Sequence, residues 1–243
     1  MTDLSCQIYL VVDAGRPGAQ ALLNAALGAG PVASILITTS GQQTLDAVAA
    51  APLLQLAQAQ GVAVLIDGNA PLAKYMQADG VHVTGDEPNY KEARRAVGPR
   101  AMVGIGLTPE VRDVRHAAMA CGEAGADYVA FAEHIDQGEA VMPAARPVDS
   151  DISDADGDET GDAITPDLPR SRLDLVRWWA EIFTVPCVAW HVTTLDDATE
   201  LAAAGADFIA LAPDTWMNPA DVAATIRDFA QAIVAAAPAS AGT

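Results

Sequence analysis

The chain has 243 residues, 51% hydrophobic but only 5% aromatic, and a formal net charge of −19 from 13 basic and 32 acidic side chains. That length suits one α/β barrel or two small domains, and the charge repels nucleic acid and anionic lipid, which excludes both as partners. No apolar run is long enough to span a bilayer and the opening MTDLSCQIYLVVDAG has no basic leader, so the expectation is a cytoplasmic protein with a small-molecule ligand; homo-oligomerisation is left open.

Short β-branched runs alternate with longer Ala/Leu-rich stretches along the chain. The runs predict eight strands, at 7–13, 32–39, 62–67, 80–83, 102–107, 128–132, 187–192 and 208–212. Helix starts are marked by Thr108-Pro109-Glu110, by Ser171 with Asp174, by Thr194 with Asp197 and by Asn218-Pro219. The opposite junction recurs: EAGADYVAFA at 123–132 and AAGADFIALA at 203–212 share one helix-Gly-strand pattern, with QADGVHV at 77–83 as a looser copy. An open doubly wound sheet usually stops at five or six strands, so eight units predict a closed (β/α)8 TIM barrel spanning 1–243 as a single domain.

One stretch breaks the rhythm. Residues 135–170 form an acidic insertion after the sixth strand, expected to be exposed and mobile; 149–167 alone holds eight acidic residues and no basic one. Cys6, Cys121 and Cys187 lack the close pairing of a zinc or redox motif and read as reduced, buried thiols.

Several strand motifs, in the right order, resemble thiamine phosphate synthases and the related thiazole tautomerases. Tyr9-Leu-Val-Val-Asp13 looks like that family's opening strand and Ala78-Asp-Gly-Val-His-Val83 is similar to its ADGVHL strand, the most specific of the set. Gly104-Ile-Gly106, Gly125-Ala-Asp-Tyr-Val129 and Pro186-Cys-Val-Ala189 resemble its GVS, GADYI and PVVAI strands. The resemblance implies a transferase of thiamine biosynthesis that joins a pyrimidine pyrophosphate to a thiazole phosphate, with Mg2+ as cofactor if the protein is catalytically active and none otherwise.

The same resemblance implies replacements. The family's Gln-x-Arg-x-Lys falls on Ile35, Ile37 and Thr39, which leaves no cation there. Its Asn-Asp falls on Asp67-Gly68, displacing the metal-binding carboxylate by one position to Asp67, a step that ordinarily turns a strand side chain to the other face. Asp86 and Glu87 follow the fourth strand as further metal candidates. The Thr-x-Thr-Lys loop gives way to the acidic insertion, and the phosphate-binding Gly-Gly reads His191-Val192.

The mouth expected at the strand C-terminal ends is therefore acidic, with Asp13, Asp67, Asp86, Glu87, Glu133, Asp136 and Asp214 there and Arg16 the one basic residue in a loop directly after a strand outside the insertion. His134 and His191 are the general acid/base candidates, while Asp13, Thr39, Asn69, Thr108 and Trp216 are the ligand-binding candidates, Trp216 as a stacking surface over the pocket. His82, between Val81 and Val83, reads as an interior histidine and His116 as helix surface. Three readings stay open: a synthase-family enzyme with altered ligands and poor synthase turnover, a non-catalytic binder of a thiamine-related or cationic heterocycle, and an interaction protein working through its acidic insertion.

Overall fold

The computed structural model describes residues 6–40, 44–107, 111, 113–132, 171–218 and 220–236. The insertion expected at 135–170 lies outside them. Strands β1 (Gln7–Asp13), β2 (Val32–Thr38), β3 (Ala63–Asp67), β4 (Gly80–Thr84), β5 (Met102–Leu107), β6 (Tyr128–Phe131), β7 (Cys187–Val192) and β8 (Phe208–Leu211) close into one parallel barrel in chain order. Helices α1 (Ala19–Leu27), α2 (Ala47–Ala59), α3 (Ala70–Met76), α4 (Glu87–Val97), α5 (Val114–Glu123), α6 (Arg172–Ile182) and α7 (Leu195–Ala203) follow the first seven strands; a short α8 (Pro213–Trp216) and then α9 (Val222–Ala236) follow the last. Among the described residues no helix is long and apolar enough to cross a membrane.

The helix starts form where short polar side chains meet free backbone N–H groups. Ser171 Oγ accepts from Asp174 N at 3.1 Å and Thr194 Oγ1 from Asp197 N at 3.2 Å, as the sequence suggests. Two starts differ. The described part of α5 begins behind Asp113, whose carboxylate accepts from His116 N at 3.0 Å, with Thr108 to Glu110 outside the described residues. After β8 the extra turn of α8 intervenes before Asn218, which accepts from Ala220 N through its side chain at 3.2 Å.

The repeated helix-Gly-strand junctions all do the same job at the N-terminal rim. Asp79 accepts the Val64 N–H at 2.8 Å, Asp127 the Val103 N–H at 2.7 Å and Asp207 the Cys187 N–H at 2.8 Å. In each case the same Asp donates its own N–H to the carbonyl of that residue, so one residue ties two strands together twice.

Strand side chains divide by alternation into two buried layers. Tyr9, Val11, Leu36, Leu65, Tyr128, Ala130, Val188 and Ala210 cluster with the partly buried Trp190 inside the barrel, while Ile35, Ile37, Ile66, Ile105, Ala189 and Ile209 pack outward beneath the helices. On β2 the inward face runs through Leu36 and Thr38, whereas Ile35 and Ile37, on which the resemblance places the family's Gln-x-Arg, face outward. Two glycines make the interior possible: a Cβ on Gly104 would stand 1.9 Å from Tyr128 Cζ, and one on Gly106 2.8 Å from His82 Nε2.

Candidate functional site at the C-terminal mouth

The last inward positions of the strands form the mouth: Asp13 on β1, Thr38 on β2, Asp67 on β3, Thr84 on β4, Gly106 on β5 and Trp190 on β7. Asp67 keeps the parity of the inward Leu65, so its displacement does not turn it away from the axis. Thr38 Oγ1 donates to its Oδ2 at 2.7 Å. Burial raises the Asp67 pKa, and the Thr38 hydrogen bond and the charge of His191 only partly oppose that rise.

Asp13, also a ligand candidate, is 7% exposed and engaged by the frame. Its carboxylate accepts from Gly15 N at 2.9 Å and from Ser40 Oγ, which ties the β1 and β2 loops together. Thr39 is partly exposed, one position beyond the inward Thr38. Asn69 caps α3, its side chain accepting from Leu72 N at 2.9 Å. Trp216 corrects the sequence reading: it is fully buried, and its indole N–H donates to the Val11 carbonyl at 3.0 Å, so its ring is part of the core and no stacking surface for a ligand. Thr108, Glu133, His134 and Asp136 lie outside the described residues.

His191 stands exposed at the end of β7 with φ 57°, the left-handed region, where β7–β8 pairing shifts register between Ala189 and Val192. The backbone thus keeps a conformation suited to glycine at a position where the resembled family has one, and an imidazole takes the place of open backbone. Burial and then the Arg172 charge lower the His191 pKa, with Asp67 opposing, which favours neutral imidazole.

Below the mouth lies a hydrogen-bonded aromatic layer. Tyr9 Oη and Tyr128 Oη are 3.1 Å apart, and Tyr128 Oη is 2.8 Å from His82 Nδ1. His82 is 1% exposed, and burial followed by the nearby His191 pushes its pKa down to about 3, so it is neutral. Trp190 lies over it, ring centroids 4.5 Å apart and planes 6° from parallel. Sequence alone does not single out Trp190 or Thr38; the signal that finds them is strand alternation, through Val188 on β7 and Leu36 on β2.

Magnesium is the metal that the family resemblance implies, and the described candidate donors are not grouped to hold it. Asp67 is held by Thr38, Asp86 is exposed at the start of α4, and Glu87 pairs with Lys91 Nζ at 2.5 Å. Among the described residues no three His, Cys, Asp or Glu side chains are grouped to hold a metal ion.

Among the described residues, the cations that reach the strand ends are already paired. Arg16 donates to the carbonyls of Pro213 and Met217, both at 3.1 Å, and pairs with Asp214. Arg172, 4% exposed, donates to the Trp190 carbonyl at 2.5 Å and pairs with Asp197. Arg115 lies farther out, over the Trp178 ring at 4.7 Å.

Known proteins share this frame. A family model described as thiamine monophosphate synthase matches residues 8–137. The thiamine-phosphate synthase of Rhodospirillum centenum is 36% identical over 94% of this chain and 97% of its own, and that of Erythrobacter litoralis 34% over 97% and 99%. The solved structure of a thiamine phosphate pyrophosphorylase from Pyrococcus furiosus has a TM-score of 0.68 at 17% identity, covering 96% of this chain and 97% of that one. At 16% identity the (S)-3-O-geranylgeranylglyceryl phosphate synthase of Thermoplasma acidophilum gives 0.58 over 96% and 98%; these two likenesses are of fold alone. On the family match and the near full-length identities, this chain, a thiamine phosphate synthase-like (β/α)8 barrel, belongs to the thiamine monophosphate synthase family.

Proposed function

We propose that this barrel holds a thiamine-related or other positively charged heterocycle at its C-terminal mouth and turns over the two phosphorylated precursors of thiamine phosphate slowly or not at all. The observation that carries the reading is the state of the cations. Arg16 and Arg172, the described basic residues that reach the strand ends, are already paired with Asp214 and Asp197 and bonded to backbone carbonyls. Asp13 and Asp67 remain on the inner face.

A departing pyrophosphate gathers negative charge in a site that must exclude water, and donors aimed at that charge supply much of the rate. Losing one such donor costs about a hundredfold to a thousandfold in kcat, so losing several together suppresses the step. A positive ring meets the opposite field. A bound positive ring favours the ionised form of Asp67, which burial by itself disfavours, and the lowered pKa of His191 favours the neutral imidazole.

The test is a turnover assay of the purified protein with both phosphorylated precursors and magnesium, run beside the Rhodospirillum centenum relative. Thiamine phosphate formation below about 1% of that enzyme's rate is expected. Rates within about tenfold of it would overturn the reading.

A further inference from the structure

Trp190 replaces an aliphatic residue of the resembled PVVAI strand, and its position gives it two different faces. Register sets its height: Gly104 pairs with both His82 and Tyr128, while Val188 pairs with Ala130, two residues farther along β6. Trp190 lies two residues beyond Val188, so it roofs the His82–Tyr128 layer on the side toward the strand C-terminal ends. Beneath it His82, Tyr128 and Tyr9 are 1%, 6% and 2% exposed. The partial exposure of Trp190 therefore belongs to the mouth side.

The surroundings make that side attractive to a cation. The lower face rests on an imidazole held neutral by burial, so no cation occupies the π-system from below. Tyr9 braces it at 5.7 Å with planes tilted by 59°, and the neighbouring His191 ring stacks near it, centroids 5.8 Å apart and planes 24° from parallel. Asp67 ends β3 in register with His82, the imidazole on which Trp190 is stacked. The nearby positive charge of Arg172 is offset by Asp197.

We propose that the mouth-side face of Trp190, with Asp67 on the inward face of the same mouth, is the stacking floor that selects a planar, positively charged heteroaromatic ring. The inference rests on the reading that the mouth takes a heterocycle, and it adds which residues choose the ligand and by what chemistry. A cation over an indole face gains from the ring quadrupole, the more so the more the pair is desolvated.

The experiment is calorimetric titration of the full-length protein with three probes: nicotinamide, its ring-N-methylated cation, and thiamine. The first two share one planar ring and differ in charge. The wild type is expected to bind the methylated cation at least about tenfold more tightly than nicotinamide. Trp190→Leu should weaken cation binding by about tenfold or more, and Trp190→Phe, which keeps a ring, by less than about threefold. Asp67→Asn should abolish most of the preference for the methylated cation over nicotinamide.

Circular dichroism and thermal melts establish that each variant folds; should Trp190→Leu fail to, Trp190→Phe and Asp67→Asn still decide the matter. Equal affinity for the charged and uncharged probes overturns the proposal. Thiamine binding that is the same in wild type and Trp190→Leu overturns the Trp190 assignment and leaves the heterocycle reading standing. Cation binding that depends on Trp190, without thiamine binding, supports the stacking floor and removes the thiamine-related ligand. No binding of any probe overturns both.

Discussion

His191 holds a left-handed backbone, φ 57°, that costs a residue with a Cβ about 1–2 kcal/mol relative to glycine. Its stacking on Trp190 offsets part of that cost, and strain of this kind gathers at working sites. His191→Gly is accordingly expected to match or exceed the wild type in stability by up to about 1 kcal/mol in urea unfolding, while ligand affinity at the mouth changes. A glycine variant that is clearly less stable would show instead that the imidazole serves the frame.

His82 makes a second prediction. Its folded pKa of about 3 lies below the ordinary 6.5, so between those values the unfolded chain binds a proton that the folded chain does not. Stability from this group therefore falls as pH drops through that window, by up to about 1.4 kcal/mol per pH unit. Asp67 works in the opposite sense, because its raised pKa gives a contribution present at low pH and lost as pH rises through its folded value. Urea midpoints measured from pH 7 to 4 should decline less steeply for His82→Gln than for the wild type; parallel curves would contradict a buried neutral imidazole.

At the scale of elements, the recurrent Ala-Asp junction at 78–79, 126–127 and 206–207 ties neighbouring strands at three places around the barrel. Each Asp carboxylate satisfies a strand N–H at the N-terminal rim, and removing it strands that donor. Asp207→Ala, which frees the Cys187 N–H, is expected to cost about 1–3 kcal/mol in urea unfolding without altering the mouth. A cost near zero would mean that solvent replaces the carboxylate.

The strands and this junction were legible because alternating runs and a repeated motif are local in sequence. The partner of each Asp was not, since it sits 15 to 24 residues away on another strand. Facing was harder still on β2, where VASILIT is buried on both sides and hydrophobicity alone cannot say whether Ile35 or Leu36 points inward. Alternation along β3 nonetheless fixes Asp67 as inward once Leu65 is placed. Trp216 was misread for a related reason: the turn of helix from Pro213 to Trp216 is too short to show a period, and it swings the indole into the core.

For the whole molecule, counting eight strand-helix units sufficed to predict closure, while the site depended on pairings across loops. Arg16 with Asp214 and Arg172 with Asp197 join residues 198 and 25 positions apart, and those pairings decide whether positive charge is left for a ligand. With a net charge of −19, the long-range field adds to this local neutralisation and disfavours polyanions at any approach. The central claim is thus electrostatic, and binding of the bare leaving group tests it without requiring chemistry. Inorganic pyrophosphate titrated calorimetrically into the full-length protein, with and without magnesium, should give no saturable heat up to about millimolar concentration, corresponding to less than about 4 kcal/mol of binding. Saturable binding in the micromolar range would contradict the account.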